Sequence, residues 1–127
     1  MRVWDAEASR ATGAAALGLI DRRAFMRGVG VDDAPLAPYS SGYAAQLRAN
    51  GESTRVDLYR SGRLRAAVAD ALLEATEAGA VLGIRGPEST IAGIVNAARP
   101  FWGISPTDRI AIGEATRAAI VAAMDRR

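Results

Sequence analysis

At 127 residues the chain has room for one domain and not for two. It contains no Cys and no His, which excludes disulfides and any Ser-His-Asp or Cys-His nucleophile, and argues against a zinc site. Its 16 basic residues, all Arg, stand against 14 acidic ones, and the net charge of +2 is too small for a polycation that coats nucleic acid.

Hydrophobic residues make up 50% of the chain, but Ala supplies much of that share. A core so short of large side chains implies closely packed helices or stability gained from neighbouring subunits. The all-Arg cation set has two readings: a GC-rich coding genome, or guanidinium forks suited to carboxylate or phosphate partners at interfaces. No run reaches about 18 apolar residues, so no membrane span is expected. Asp5, Glu7 and Arg10 interrupt the N-terminal alanines, unlike a signal peptide.

In chain order, about Asp5 to Arg27 reads as a helix with Asp5 as N-cap and Leu17, Ile20, Ala24 and Phe25 at helical spacing. Gly13 and Gly18 allow it to be two shorter helices, and Gly28 and Gly30 stop it. Gly28 to Gly42 is a loop, punctuated by Pro35 and Pro38, with Asp32-Asp33 at a turn. A short helix follows, capped by Ser40 or Ser41, with Tyr43 and Leu47 on one face and Asn50-Gly51 at its end. "GESTR" (52–55 after Gly51) is polar. Ser61-Gly62 opens another short helix carrying Leu64, Ala67 and Val68.

"LRAAVADALLEATEAGAVLGI" supports two readings. One is a long helix to about Ala78. The other, preferred here, is a hairpin of "ALLEAT" and "AVLGI" joined at Glu77-Ala78-Gly79, because the buried-strand pattern of the second run needs a partner. A helix through Ile91, Ile94 and Val95, capped by Ser89 or Glu88, closes at Pro100. The last helix has the strongest signal: Ser105 as N-cap, Pro106 at N1, Asp108 at N3 in a capping-box arrangement, then Ile112, Ala115, Ala119, Ile120 and Ala123 on one face. Arg126 and Arg127 suit its negative end. The expected fold class is α+β: a long N-terminal helix, a small antiparallel sheet over about Ala71 to Ile84, and a C-terminal helix packed on the sheet.

Three constellations have functional and structural readings. Asp32-Asp33 is the only adjacent acidic pair, and a catalytic dyad would need a cleft, whereas a turn needs only local bonds. Arg60, Arg63 and Arg65 form a basic cluster without interleaved aromatic base readers, so an exposed helix face or subunit contact fits better than a nucleic-acid site. Phe101 and Trp102 sit between Arg-Pro and Gly-Ile-Ser-Pro. They either fill the core where the last helix docks or leave one ring, Trp102, outside as a subunit anchor.

"APLAPYSSGYAAQLRANG", "VDLYRSGRLRAAV" and above all "NAARPFWGISPTDRIAI" occur in the order and spacing of segments in phage virion morphogenesis proteins, the tail-completion and head-tail joining proteins of tailed phages and gene transfer agents. The last segment resembles the family's "ARPF, aromatic or Leu, Gly-hydrophobic-Ser, x-x-Asp" ending. The likeness spans roughly Ala34 to Ala123. The N-terminal helix carries none of the family's motifs, and the stretch before "VDL" is shorter than usual. The resemblance implies a structural subunit, not an enzyme, with no cofactor and no metal, located at the virion neck or tail end and in the host cytoplasm during assembly. It implies a homo-oligomeric, sixfold ring bound to neck and tail-tube proteins, with only nonspecific contact to DNA passing its lumen and no membrane partner. Arg63, Arg99, Phe101 and Trp102 are then the candidate subunit-interface residues, and "GESTR" a loop that orders on assembly. The rival readings are a small Arg-rich nucleic-acid-binding regulator and, more remotely, an enzyme restricted to Asp, Glu, Arg and Tyr chemistry.

Overall fold

The computed structural model describes residues 4–38, 40–51 and 62–125. Residues 52–61, which hold "GESTR" after its Gly51, the "VDLYR" run with Arg60 and the expected helix opener Ser61, fall outside those residues, as do Arg126 and Arg127.

The N-terminal helix α1 spans Ala6–Asp21. Asp5 caps it, its Oδ1 accepting the Ala8 N–H at 2.8 Å. The helix does not break at Gly13 or Gly18 but widens into a π turn over Arg22–Met26. That wider turn brings three consecutive residues, Arg23, Ala24 and Phe25, into the interior. Gly28, at φ 65°, then takes the chain out of the helix.

Helix α2 (Ser41–Ala49) starts where Ser40 Oγ accepts the Tyr43 N–H, and buries Leu47. Helix α3 (Arg63–Ala69) buries Leu64 and Val68 and ends at Asp70. The long-helix alternative is therefore not realised. A hairpin follows, β1 (Leu72–Thr76) against β2 (Gly79–Gly83), in antiparallel register from Leu72↔Gly83 to Thr76↔Gly79. Helix α4 (Glu88–Ala98) starts from Pro87 without a side-chain cap, so neither Ser89 nor Glu88 caps it as expected. Helix α5 spans Pro106–Asp125. The α+β class is as read from the sequence.

One packing relation differs from expectation. α5 takes α1 as its principal partner, and it is α1 that lies against both strands. The reason is side-chain size. Ala8, Ala119 and Ala123 meet in a small-residue cluster with Trp4 beside it, which lets the two helices approach closely. On α1's sheet side, a Cβ added at Gly13 would lie 2.6 Å from Leu73 Cδ1, 3.1 Å from Ala80 Cβ and 3.5 Å from Leu82 Cδ2. Gly13 is thus a contact surface for the hairpin, not a flaw in the helix. Gly13→Leu is expected to destabilise the fold by about 3 kcal/mol through overpacking, although any side chain there gains helix propensity. Thermal melting of the variant checks this.

The main core joins Ile20, Ala24, Phe25, Leu64, Val68, Ala92 and Phe101, with Ile84, Val95 and Trp102 packed on its margin. It lies where α1, α3 and α4 meet the turn before α5.

Candidate functional site

The segment between α4 and α5 is short, polar at both ends and irregular, so its backbone groups need partners from elsewhere. The side chains of Asn96, Arg23 and Asp108 and the backbone of Val31 supply them. Asn96 Oδ1, on the last turn of α4, accepts the N–H groups of Phe101 at 2.9 Å and Trp102 at 3.0 Å. Arg99 donates Nε to the Ala37 carbonyl at 2.8 Å and Nη2 to the Pro38 carbonyl at 3.1 Å, tying the proline-rich loop to the same turn. The Val31 N–H reaches the Pro100 carbonyl at 3.0 Å. Gly30 is required beside it, since a Cβ there would stand 2.9 Å from that carbonyl oxygen.

Arg23 is fully buried at 0% exposure. Its guanidinium spreads over four acceptors: Nε to Asp108 Oδ2 at 2.8 Å, Nη1 to Val29 O at 3.1 Å, and Nη2 to Phe101 O at 3.0 Å and Gly103 O at 2.7 Å. Asp108 is itself 1% exposed. It also closes the expected capping box, its Oδ2 accepting the Ser105 N–H at 3.2 Å while Ser105 Oγ accepts the Asp108 N–H at 3.0 Å. One residue on the π turn thereby holds the 29–30 loop, the Phe101–Gly103 turn and the start of α5. Lys could not do this, because only a planar fork serves several acceptors at fixed angles. Asp108 Oδ1 is buried without a hydrogen-bond partner, so the carboxylate's second oxygen relies on the nearby positive charge alone.

The Asp32-Asp33 pair forms the turn read from the sequence. Asp32 Oδ1 accepts the Ala34 N–H at 3.0 Å, and Asp33 takes the left-handed conformation at φ 63°. Asp33 adds a link that the sequence did not announce: its Oδ2 accepts the Thr107 N–H at 2.8 Å, in the first turn of α5. Desolvation favours the neutral acid. Hydrogen bonds from the Thr107 backbone and the Ser105 and Thr107 side chains, with the charge of Arg23, outweigh it and hold the carboxyl below its ordinary value. A carboxyl lowered in the folded state stabilises above its unfolded pKa, and the contribution disappears as pH falls through the folded value. The melting-temperature gap between wild type and Asp33→Asn is therefore expected to be constant near neutrality and to close below about pH 4.

The candidate residues part company here. Phe101 is at 0% exposure and meets Phe25 edge-on, ring centroids 6.0 Å apart at 65°. Its ring belongs to the core, which corrects its assignment to a subunit interface. Trp102 is half-buried on the edge of that core, and lines a cleft of about 210 Å³ with Ile84, Ser89, Ala92, Gly93 and Asn96. Arg99 lies in the same segment, its guanidinium spent on carbonyls. Arg63 is elsewhere, exposed on α3 with Nη2 3.4 Å from Glu88 Oε1. Arg65 is no part of a free basic face either, since it pairs in bidentate fashion with Asp21 at 2.8 and 3.0 Å.

Sequence reasoning missed Arg23 and Asn96. The signal for Arg23 was present: it lies three residues after Ile20 and next to Ala24, inside the helix's apolar stripe, where a charge needs a buried partner. Chemically the cluster is a clasp. Its charges face one another and backbone carbonyls, out of reach of a substrate. Among the described residues, no group of three or more His, Cys, Asp or Glu side chains could hold a metal ion. No described helix is long and apolar enough to cross a membrane. Compared with protein-family models, curated proteins and solved structures, the chain has no match.

Proposed function

We propose that this protein is a structural subunit of a tailed-phage particle, joining or terminating the tail at the head-tail junction as a sixfold ring of identical copies. The observation that carries the reading is the clasp. The segment that most resembles phage virion morphogenesis proteins, Arg99 to Asp108, is built as a rigid mount rather than a reaction centre. Arg23 and Asp108 lock its ends while Trp102 stays at the surface. On the side of α4 away from the residues that line the Trp102 cleft, Ile91 at 48% and Ile94 at 68% are exposed, an apolar patch suited to a neighbouring subunit. A ring needs heterologous contacts that close by rotation, and a rigid turn carrying an aromatic anchor suits one side of such a contact. Arg65 and Arg99 are engaged with a carboxylate and with carbonyls, which weighs against a dedicated nucleic-acid surface.

Purified protein mixed with tail tubes, followed by light scattering and electron microscopy, tests the reading. Ring-sized particles bound at tube ends are expected, and Trp102→Ala should weaken that binding by tenfold or more while keeping the fold. Particles made without this protein that still carry attached tails and full infectivity would overturn it.

A further inference from the structure

The outward face of α5 is not used by the fold. Ile110 is 70% exposed, Val121 54% and Met124 51%, and Gly113, Glu114 and Arg117 between them are exposed as well. At about 100° per residue these six side chains occupy roughly a third of the helix circumference. A Cβ added at Gly113 would meet nothing within 4 Å, so no other part of the chain stands over the stripe at that point.

The order of the residues identifies the occupant. Ile110 and Val121 are symmetric about a point between Ala115 and Thr116, and so are Glu114 and Arg117. We infer that a second copy of this chain docks on α5 through its own α5, antiparallel, about a two-fold axis at that point. In that register Ile110 of one copy faces Val121 of the other, and Glu114 faces Arg117, twice over. The antiparallel arrangement also opposes the two helix dipoles favourably. The contact is isologous, the same patch on both partners, and so is distinct from the head-to-tail contacts of a ring. It pairs whatever unit carries α5, ring or single chain, and does not depend on the ring reading. A face one helix wide falls short of the roughly 800 Å² per partner of a stable complex, so the pairing is reversible.

Sedimentation equilibrium up to about 0.5 mM reads the association, which is expected in the micromolar range. Pairing doubles the mass of the smallest unit. Ile110→Asp, Glu114→Arg alone and Arg117→Glu alone should each weaken it about tenfold or more. Mixing the Glu114→Arg and Arg117→Glu chains should restore it, because each mixed pair then opposes Arg to Glu at both contacts. Within each of those chains positions 114 and 117 carry like charges, so restoration cannot come from a bond inside one helix. These are surface positions, and circular dichroism confirms that the variants fold. Wild-type mass that does not double, doubling that persists in Ile110→Asp, single reversals without effect, or a mixture that stays dissociated would each overturn the inference.

Discussion

Arg23→Met is expected to remove about 3–5 kcal/mol of folding stability, the cost of leaving one member of a buried ion pair uncompensated. Against a total of about 5–15 kcal/mol for a single domain, that brings the chain close to unfolding. Three observations set the size of the effect. Both side chains are at 1% exposure or less, so water cannot replace the lost partner. Asp108 Oδ1 already lacks a hydrogen bond, so without Arg23 the buried carboxylate keeps only the Ser105 N–H on Oδ2 and no compensating charge in the clasp. The carbonyls of Val29, Phe101 and Gly103 lose a donor at the same time. Arg23→Lys keeps the charge but not the fork, and should fall between wild type and Arg23→Met. The double variant Arg23→Met, Asp108→Leu discriminates further. If the pair alone mattered, replacing both members by apolar groups would restore most of the stability. Because the guanidinium also satisfies three carbonyls, and Asp108 caps α5, recovery should be partial. Denaturant unfolding of the four chains measures this, and complete recovery in the double variant would show that the carbonyl contacts contribute nothing.

What the sequence made legible is what local chemistry decides. Asp5, Ser40 and Ser105 cap the helices they were expected to cap, and Asp108 completes its box. The hairpin forms because Leu73, Ala75, Ala80 and Leu82 pair across the strands and give α1 one apolar face to cover. What was not legible is set by contacts between distant residues. Arg23 and Asp108 are 85 positions apart, and Arg65 and Asp21 are 44. An exposed-looking Arg cluster therefore proved partly to be a brace between α3 and α1. The π turn is likewise invisible to helical periodicity, which counts 3.6 residues per turn and cannot place three consecutive residues inside. The partner of α5 was misjudged because both α1 and the sheet offer small apolar surfaces, and only close approach between alanines decides for α1.

Phe101→Ala should cost about 3–5 kcal/mol, comparable with loss of the clasp, because truncating a buried ring leaves a cavity that its neighbours fill only in part. The core around it is small: Phe25 is its aromatic neighbour in that cluster, and Ala24 and Ala92 are too short to reach into the space. Part of the loss, about 0.5–1.5 kcal/mol, is the edge-on contact with Phe25. For a chain of this size each kcal/mol moves the melting temperature by about 3–6 °C, so a fall of 10 °C or more is expected. Phe101→Leu keeps most of the volume and should lose less than half as much. Trp102→Ala, at the half-buried position next to it, should disturb the melt least and assembly most. The two aromatics thus answer to different measurements: Phe101 to stability and Trp102 to binding. A Phe101→Ala chain that melts like wild type yet fails to assemble would place that ring at the subunit contact and move the core's anchor elsewhere.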